Sequence, residues 1–169
     1  MKNVWTCSLV GFIMAAQGAA GADWYVSPNG WHANSGQSLD QAWQTIPYAM
    51  TRVNDGDTIW VDAGTYDLGA DVGYPAGSLL PARWAIYKAV TVRSLYGADQ
   101  TVVVGQRHSE GTPLGEYAMR GVYLANNATL IGVTVSNGCT RTESSQLIDL
   151  YGGGVLAESA SAAVYDCVI

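Results

Sequence analysis

Three sets of side chains in this 169-residue chain have types and spacing suited to chemistry. The first is cationic: Arg107-His108-Ser109-Glu110, Arg120 and Arg141-Thr142-Glu143, with Lys88 and Arg93 on or beside apolar runs. A Lys or Arg can remove a proton next to a carboxylate when calcium or other cations stabilise the developing charge. Calcium would need a cluster of Asp or Glu oxygens, and none accompanies these residues in the sequence. Solvated loop charge is the competing reading. The second set is a pair of acids, Asp149 and Glu158, near a late Gly-rich run. Paired carboxylates flank the scissile bond in glycoside hydrolysis, but the separation of these two says nothing about facing. The third set is aromatic: Trp31, Tyr74, Trp84, Tyr87, Tyr117 and Tyr151 can stack on sugar rings or cover a core. Sequence alone assigns no catalytic residue.

Other motifs carry less. Asp55-Gly56-Asp57 invites a calcium loop, but Trp60 and Tyr66 stand where an EF-hand needs Gly and Glu; a turn into a strand is the simpler expectation. Cys139 and Cys167 form an even pair that an oxidising compartment permits to bond. The alternative leaves Cys167 unpaired on a strand and Cys139 in a turn. Neither His32 nor His108 has zinc-ligand spacing to a cysteine. Asn127-Ala128-Thr129 matches a glycosylation acceptor.

These residues hang on a series of short strands. Trp24-Tyr25-Val26 precedes the turn residues Ser27-Pro28-Asn29-Gly30, and a polar loop follows from Trp31 to Gln41. Thr45 is an N-cap candidate for a helix to Val53, with Pro47 in its first turn and Ile46, Met50 and Val53 on one face. Strands are expected at Thr58–Val61, Trp84–Ile86, Val90–Val92, Thr101–Val104, Gly121–Leu124, Leu130–Val135, Gly153–Leu156 and Val164–Ile169. The last four form an approximate repeat: Gly121-Val122 and Leu130–Val135 parallel Gly154-Val155 and Val164–Ile169. One such unit cannot bury both faces alone, whereas stacked units can. A β-sandwich is the rival arrangement.

Lys2, an apolar stretch and Ala20-Gly21-Ala22 predict a signal peptide over residues 1–22, with the mature chain starting at Asp23. The apolar stretch is too short to span a membrane comfortably, so secretion without a membrane span is expected. The net charge of −6 becomes more negative once Lys2 is removed, which argues against nucleic acid as partner. The run Val164–Ile169 is apolar to its last residue. A solenoid caps its last repeat, so the sequence is expected to be the front piece of a longer protein.

The opening Trp24–Gly30, the amphipathic segment after it, and Asn54-Asp55-Gly56-Asp57-Thr58-Ile59-Trp60-Val61-Asp62-Ala63-Gly64-Thr65-Tyr66 resemble the start of secreted right-handed parallel β-helix proteins of the pectate-lyase-like superfamily. Lys88–Ser94, Gly97 and Val102–Gly105 continue the likeness as a second coil. The resemblance covers Asp23 to about Gly105. It implies an all-β right-handed parallel β-helix with a short capping α-helix, residues 23–169 forming the cap and first coils. It also implies a polysaccharide partner, calcium as a metal the complete protein could use, and catalytic residues on coils beyond those present here. Lyase action on uronate polymers is the leading enzymatic expectation, and a glycoside hydrolase on the same fold is its variant. The competing expectation is a non-catalytic cell-surface or adhesion β-helix.

Overall fold

The computed structural model describes residues 21–109 and 111–169. Apart from Gly21 and Ala22, the expected signal peptide lies outside the described residues. Eleven strands follow: β1 (Asp23–Val26), β2 (Thr58–Val61), β3 (Gly64–Tyr66), β4 (Ala82–Ile86), β5 (Thr91–Ser94), β6 (Thr101–Val104), β7 (Arg120–Leu124), β8 (Thr129–Ile131), β9 (Thr134–Ser136), β10 (Val155–Ala157) and β11 (Ala163–Tyr165). They stack as three parallel sheets, β1-β2-β5-β8-β11, β4-β7-β10 and β3-β6-β9. Each ladder joins one coil to the next, so the chain is a parallel β-helix and not a sandwich.

The period-2 pattern of each strand sends alternate side chains inward, and register stacks them. Trp24, Ile59, Val92, Leu130 and Val164 are partners along one sheet; Tyr66, Val103 and Val135 are partners along another. Ile59, Val92, Leu130 and Val103 are completely buried. Corners fall where the backbone can turn left-handed. The run Leu130–Val135, expected as one strand, is two, because Gly132 at φ 70° bends it. Asn127 and Asn137 take the same region at φ 61° and 54°, which Asn tolerates better than most residues.

The expected capping helix is present and shorter than its apolar pattern. Helix α1 spans Ile46–Met50, with Pro47 in its first turn and the Thr45 hydroxyl accepting from the Tyr48 N–H at 3.3 Å. Ile46, Ala49, Met50 and Val53 join the main core, and α1 packs against β4 and β1. It occupies the place a strand before β4 would fill.

Asp57 fastens the same end. Its carboxylate accepts from Asn54 N at 2.8 Å and Trp24 Nε1 at 2.9 Å, and in the uncleaved chain from Ala22 N at 2.8 Å, a bond that the expected cleavage before Asp23 would remove. Burial opposes its charge, but these bonds outweigh burial and hold the carboxyl below its ordinary range. The Asp55-Gly56-Asp57 motif is therefore a turn: Asp55 accepts from Ala89 N at 2.9 Å and Gly56 sits at φ 91°.

Met50 has no exposed surface. Met50→Ala should cost about 2–5 kcal/mol, measured by chemical denaturation. Leu39→Ala, at an exposed site, should stay within about 0.5 kcal/mol.

Candidate functional site

Beyond β4, β7 and β10 the chain turns outward at Tyr87, Ala125 and Glu158. The ladder holds these turns in step: Ala125 N donates to Ile86 O and Glu158 N to Leu124 O, both at 2.9 Å. Two residues earlier, Ala85, Tyr123 and Leu156 are register partners on the side away from inward-facing Trp84 and Ile86. Loop 67–81 brings Tyr74 over this surface. Its ring stacks on Tyr87 at 4.4 Å and 6°, and lies 6.1 Å from Tyr123. The result is an open cleft of about 440 Å³, also lined by Asp55, Lys88, Asn126, Asn127 and Glu158.

Its polar groups are partly committed. Tyr123 donates its hydroxyl to Glu158 Oε2 at 2.6 Å. Burial, then the bond to Glu158 and its charge, push the Tyr123 hydroxyl well above the usual tyrosine range, so it stays a donor. Lys88 donates Nζ to Val53 O at 2.7 Å and lies 5.8 Å from the Tyr87 ring centre. Burial raises the Tyr87 hydroxyl, helped by Tyr74 and by the charge of Asp71. Asp71 is itself raised by burial, and among the described residues its Oδ2 is buried without a hydrogen-bond partner. The cleft therefore offers tyrosine rings, side-chain amides and carboxylate acceptors, with one cation tied to the backbone.

The structure brings together only part of what the sequence singled out. Of the aromatic set, Tyr74 and Tyr87 meet. Trp84 is buried against Tyr66 at 5.2 Å; Tyr117 stacks on His108 at 5.2 Å; Trp31 and Tyr151 are exposed outside the cleft. Tyr123 and Asn126 were not anticipated, though the outward position of Tyr123 in an alternating strand was a usable signal; Asp55 comes from the motif weighed for calcium and read as a turn. The cationic set disperses. Arg93 covers the Trp60 ring at 5.5 Å, and Arg141 donates to Leu79 O at 3.1 Å. Arg107, His108 and Ser109 lie on a separate excursion between β6 and β7, and Glu110 lies outside the described residues.

Arg120 and Asp149 are not a reacting pair but a buried clasp between two loops. Neither has exposed surface. Arg120 donates Nε to Gly152 O at 2.9 Å, Nη1 to Tyr74 O at 3.3 Å, and Nη2 to Ile148 O and Tyr151 O at 3.0 and 3.1 Å. Asp149 accepts from the Ser78 and Ser144 hydroxyls, both at 2.7 Å, and from Leu79 N and Leu80 N. Burial opposes the Asp149 charge, but these donors outweigh it and lower the carboxyl below its usual range. Asp149 is thus unavailable as partner to Glu158.

Among the described residues no three His, Cys, Asp or Glu side chains group so as to hold a metal ion. Among the described residues the donors therefore form no calcium cluster; the expectation of calcium concerned the complete protein. Cys139 and Cys167 are free, half-buried thiols. Cys167 Sγ lies 3.5 Å from Val133 N, in the Val133-Thr134 region that the repeat aligns with it. Cys139 sits past the next corner, its N–H donating to Met119 O at 3.0 Å.

No known protein family and no curated protein matches this sequence. Among solved structures, a rhamnogalacturonan lyase superposes with a TM-score of 0.53 at 18% identity, over 75% of this chain and 31% of the lyase. The chain thus spans under a third of that structure's length. The likeness is one of fold, a parallel β-helix.

Because Asp149 and Asp57 are depressed in the folded state, their stabilisation is fully present above the unfolded carboxylate value of about 3.9. It is lost as pH falls through their folded values. Thermal melts from pH 7 to pH 2 should show this loss in the wild type. Asp149→Ala should cost about 1–3 kcal/mol at pH 7 for each buried donor it leaves unpaired and melt with a shallower acid slope; Glu158→Gln should do neither.

Proposed function

We propose that residues 23–169 are the cap and first coils of a secreted polysaccharide-binding β-helix protein, and that the tyrosine cleft holds the polymer. The carrying observation is the near-parallel Tyr74–Tyr87 pair beside the Tyr123–Glu158 hydrogen bond. Flat aromatic faces next to fixed acceptors suit a sugar, whose C–H face packs on a ring while its hydroxyls donate at the edge. The fold likeness to a polysaccharide lyase supports the same reading.

The described coils are assigned binding and not bond cleavage. At the cleft, elimination would need a free cationic base and stabilised negative charge, whereas Lys88, the cation that lines it, is tied to Val53 O. Hydrolysis by paired carboxylates loses its pair with Asp149 buried in the loop clasp. Degradation of the bound polymer, by a lyase or otherwise, belongs to the complete protein.

Titration with a panel of neutral and acidic polysaccharides, read by affinity electrophoresis and calorimetry, tests this. At least one polymer should bind. Tyr87→Ala and Tyr74→Ala should each weaken it roughly tenfold, while Trp31→Ala and Tyr151→Ala leave it unchanged. No binding across the panel, or full affinity of Tyr87→Ala for every polymer that binds, defeats the proposal.

A further inference from the structure

A second hollow, at the capped end, has the opposite chemical character from the tyrosine cleft. It is about 500 Å³ in volume and is lined by Trp24, His32, Asn34, Trp43, Tyr48 and Arg52, with Ala33 and Ser35 on its rim. No carboxylate lines it, although the chain carries 14 acidic against 8 basic side chains.

Its walls are rigid and aromatic. Trp24 stacks on Trp43 at 4.9 Å and 17°, His32 stacks on Tyr48 at 4.2 Å and 7°, and Trp43 meets Tyr48 edge-on at 5.7 Å. Both indole N–H groups are engaged by the protein, Trp24 with Asp57 Oδ2 and Trp43 with Asn34 O, each at 2.9 Å. The indoles therefore present ring surface. His32 is pinned by the 3.1 Å contact of Nε2 with Thr45 Oγ, and Asn34 donates Nδ2 to Ala42 O at 3.1 Å. Trp43 is buried and needs no partner, but Trp24, His32 and Tyr48 remain half-exposed at the opening.

Arg52 supplies the charge. It is exposed, it lies 5.1 Å from the Tyr48 ring centre, and among the described residues it makes one side-chain hydrogen bond, Nη2 to the Tyr48 hydroxyl at 3.0 Å. A guanidinium carries five N–H donors, so most of its fork is left without a protein partner among the described residues. A planar, weakly hydrated cation beside aromatic faces is the arrangement that recognises a carboxylate or sulfate on a flat or ring-shaped ligand. The volume accommodates one or two sugar rings.

We infer that this hollow is a binding site for an acidic sugar residue, held by Arg52 through its carboxylate or sulfate and by the Trp24–His32 surface through its ring. The site is independent of the tyrosine cleft: the two share no lining residue. It places an anion-selective contact on the cap of a chain whose overall charge repels anions, so recognition is local and donor-driven.

Calorimetric titration of the protein with tri-galacturonate, a sulfated disaccharide and maltotriose tests it. At least one acidic ligand should bind, and maltotriose at least tenfold more weakly. The arm that binds better distinguishes carboxylate from sulfate. Arg52→Gln should weaken the acidic ligand roughly tenfold and Arg52→Lys less, because the fork geometry is lost while the charge stays. Tyr87→Ala should leave this affinity unchanged, which separates this site from the cleft. Equal binding of acidic and neutral ligands, no acidic binding, or an unaltered Arg52→Gln overturns the inference. So does loss of acidic binding in Tyr87→Ala.

Discussion

Parallel stacking in register is the constraint on which this structure depends. In a β-helix each strand satisfies its backbone groups with the coils on either side, so a coil without a predecessor leaves a row of open donors and acceptors. The first coil meets this with the segment between β1 and α1. Tyr25 N donates to Gly36 O, Trp43 N to Tyr25 O and Ser27 N to Trp43 O, at 2.8 to 2.9 Å. The loop expected as mere surface thus closes the edge of β1, while α1 closes the apolar interior beside β4. Gly36 makes this approach feasible: at φ 75° it lies flat on Trp43, where a Cβ would come within 2.4 Å of the indole.

Loops that leave the ladders need another source of partners. Segment 67–81 and the segment around 140–152 are long excursions at the β4-β7-β10 sheet. Their polar backbone is answered by one buried cation and one buried anion, Arg120 taking four carbonyls and Asp149 two amides. A buried charge is tolerated when hydrogen bonds satisfy it, and each of these two organises a separate piece of chain. The two functional surfaces divide in the same way: the tyrosine cleft is built where strands end, and the cap hollow where the first coil is sealed.

Much of the architecture was legible because it depends on local pattern. β-branched runs located the strands, Thr45 and Pro47 located the helix start, and the repeat set Val164 against Leu130, its true register partner. What stayed hidden depends on three-dimensional placement. Asp149 and Arg120 look like reactive side chains in sequence, and only burial with a complete set of partners makes them structural. Lys88 sits at a strand end, as a base might, yet Val53 O holds it. Tyr74 and Tyr87 were legible as sugar-stacking types, but their stacking required a loop whose path no periodicity describes. The corner at Gly132 was missed because an apolar run of six residues reads as a single strand until the left-handed backbone is seen.

One contact joins the buried clasp to the surface: Arg120 Nη1 holds the carbonyl of Tyr74, whose ring is half of the stacked platform. The geometry of the platform is therefore tied from below to an interior cation that no ligand meets. If loop 67–81 were docked only part of the time, any ligand needing both rings would bind with an intrinsic constant divided by the docked fraction. Sequence drift deep in the interior could then tune affinity while every residue at the surface stayed the same.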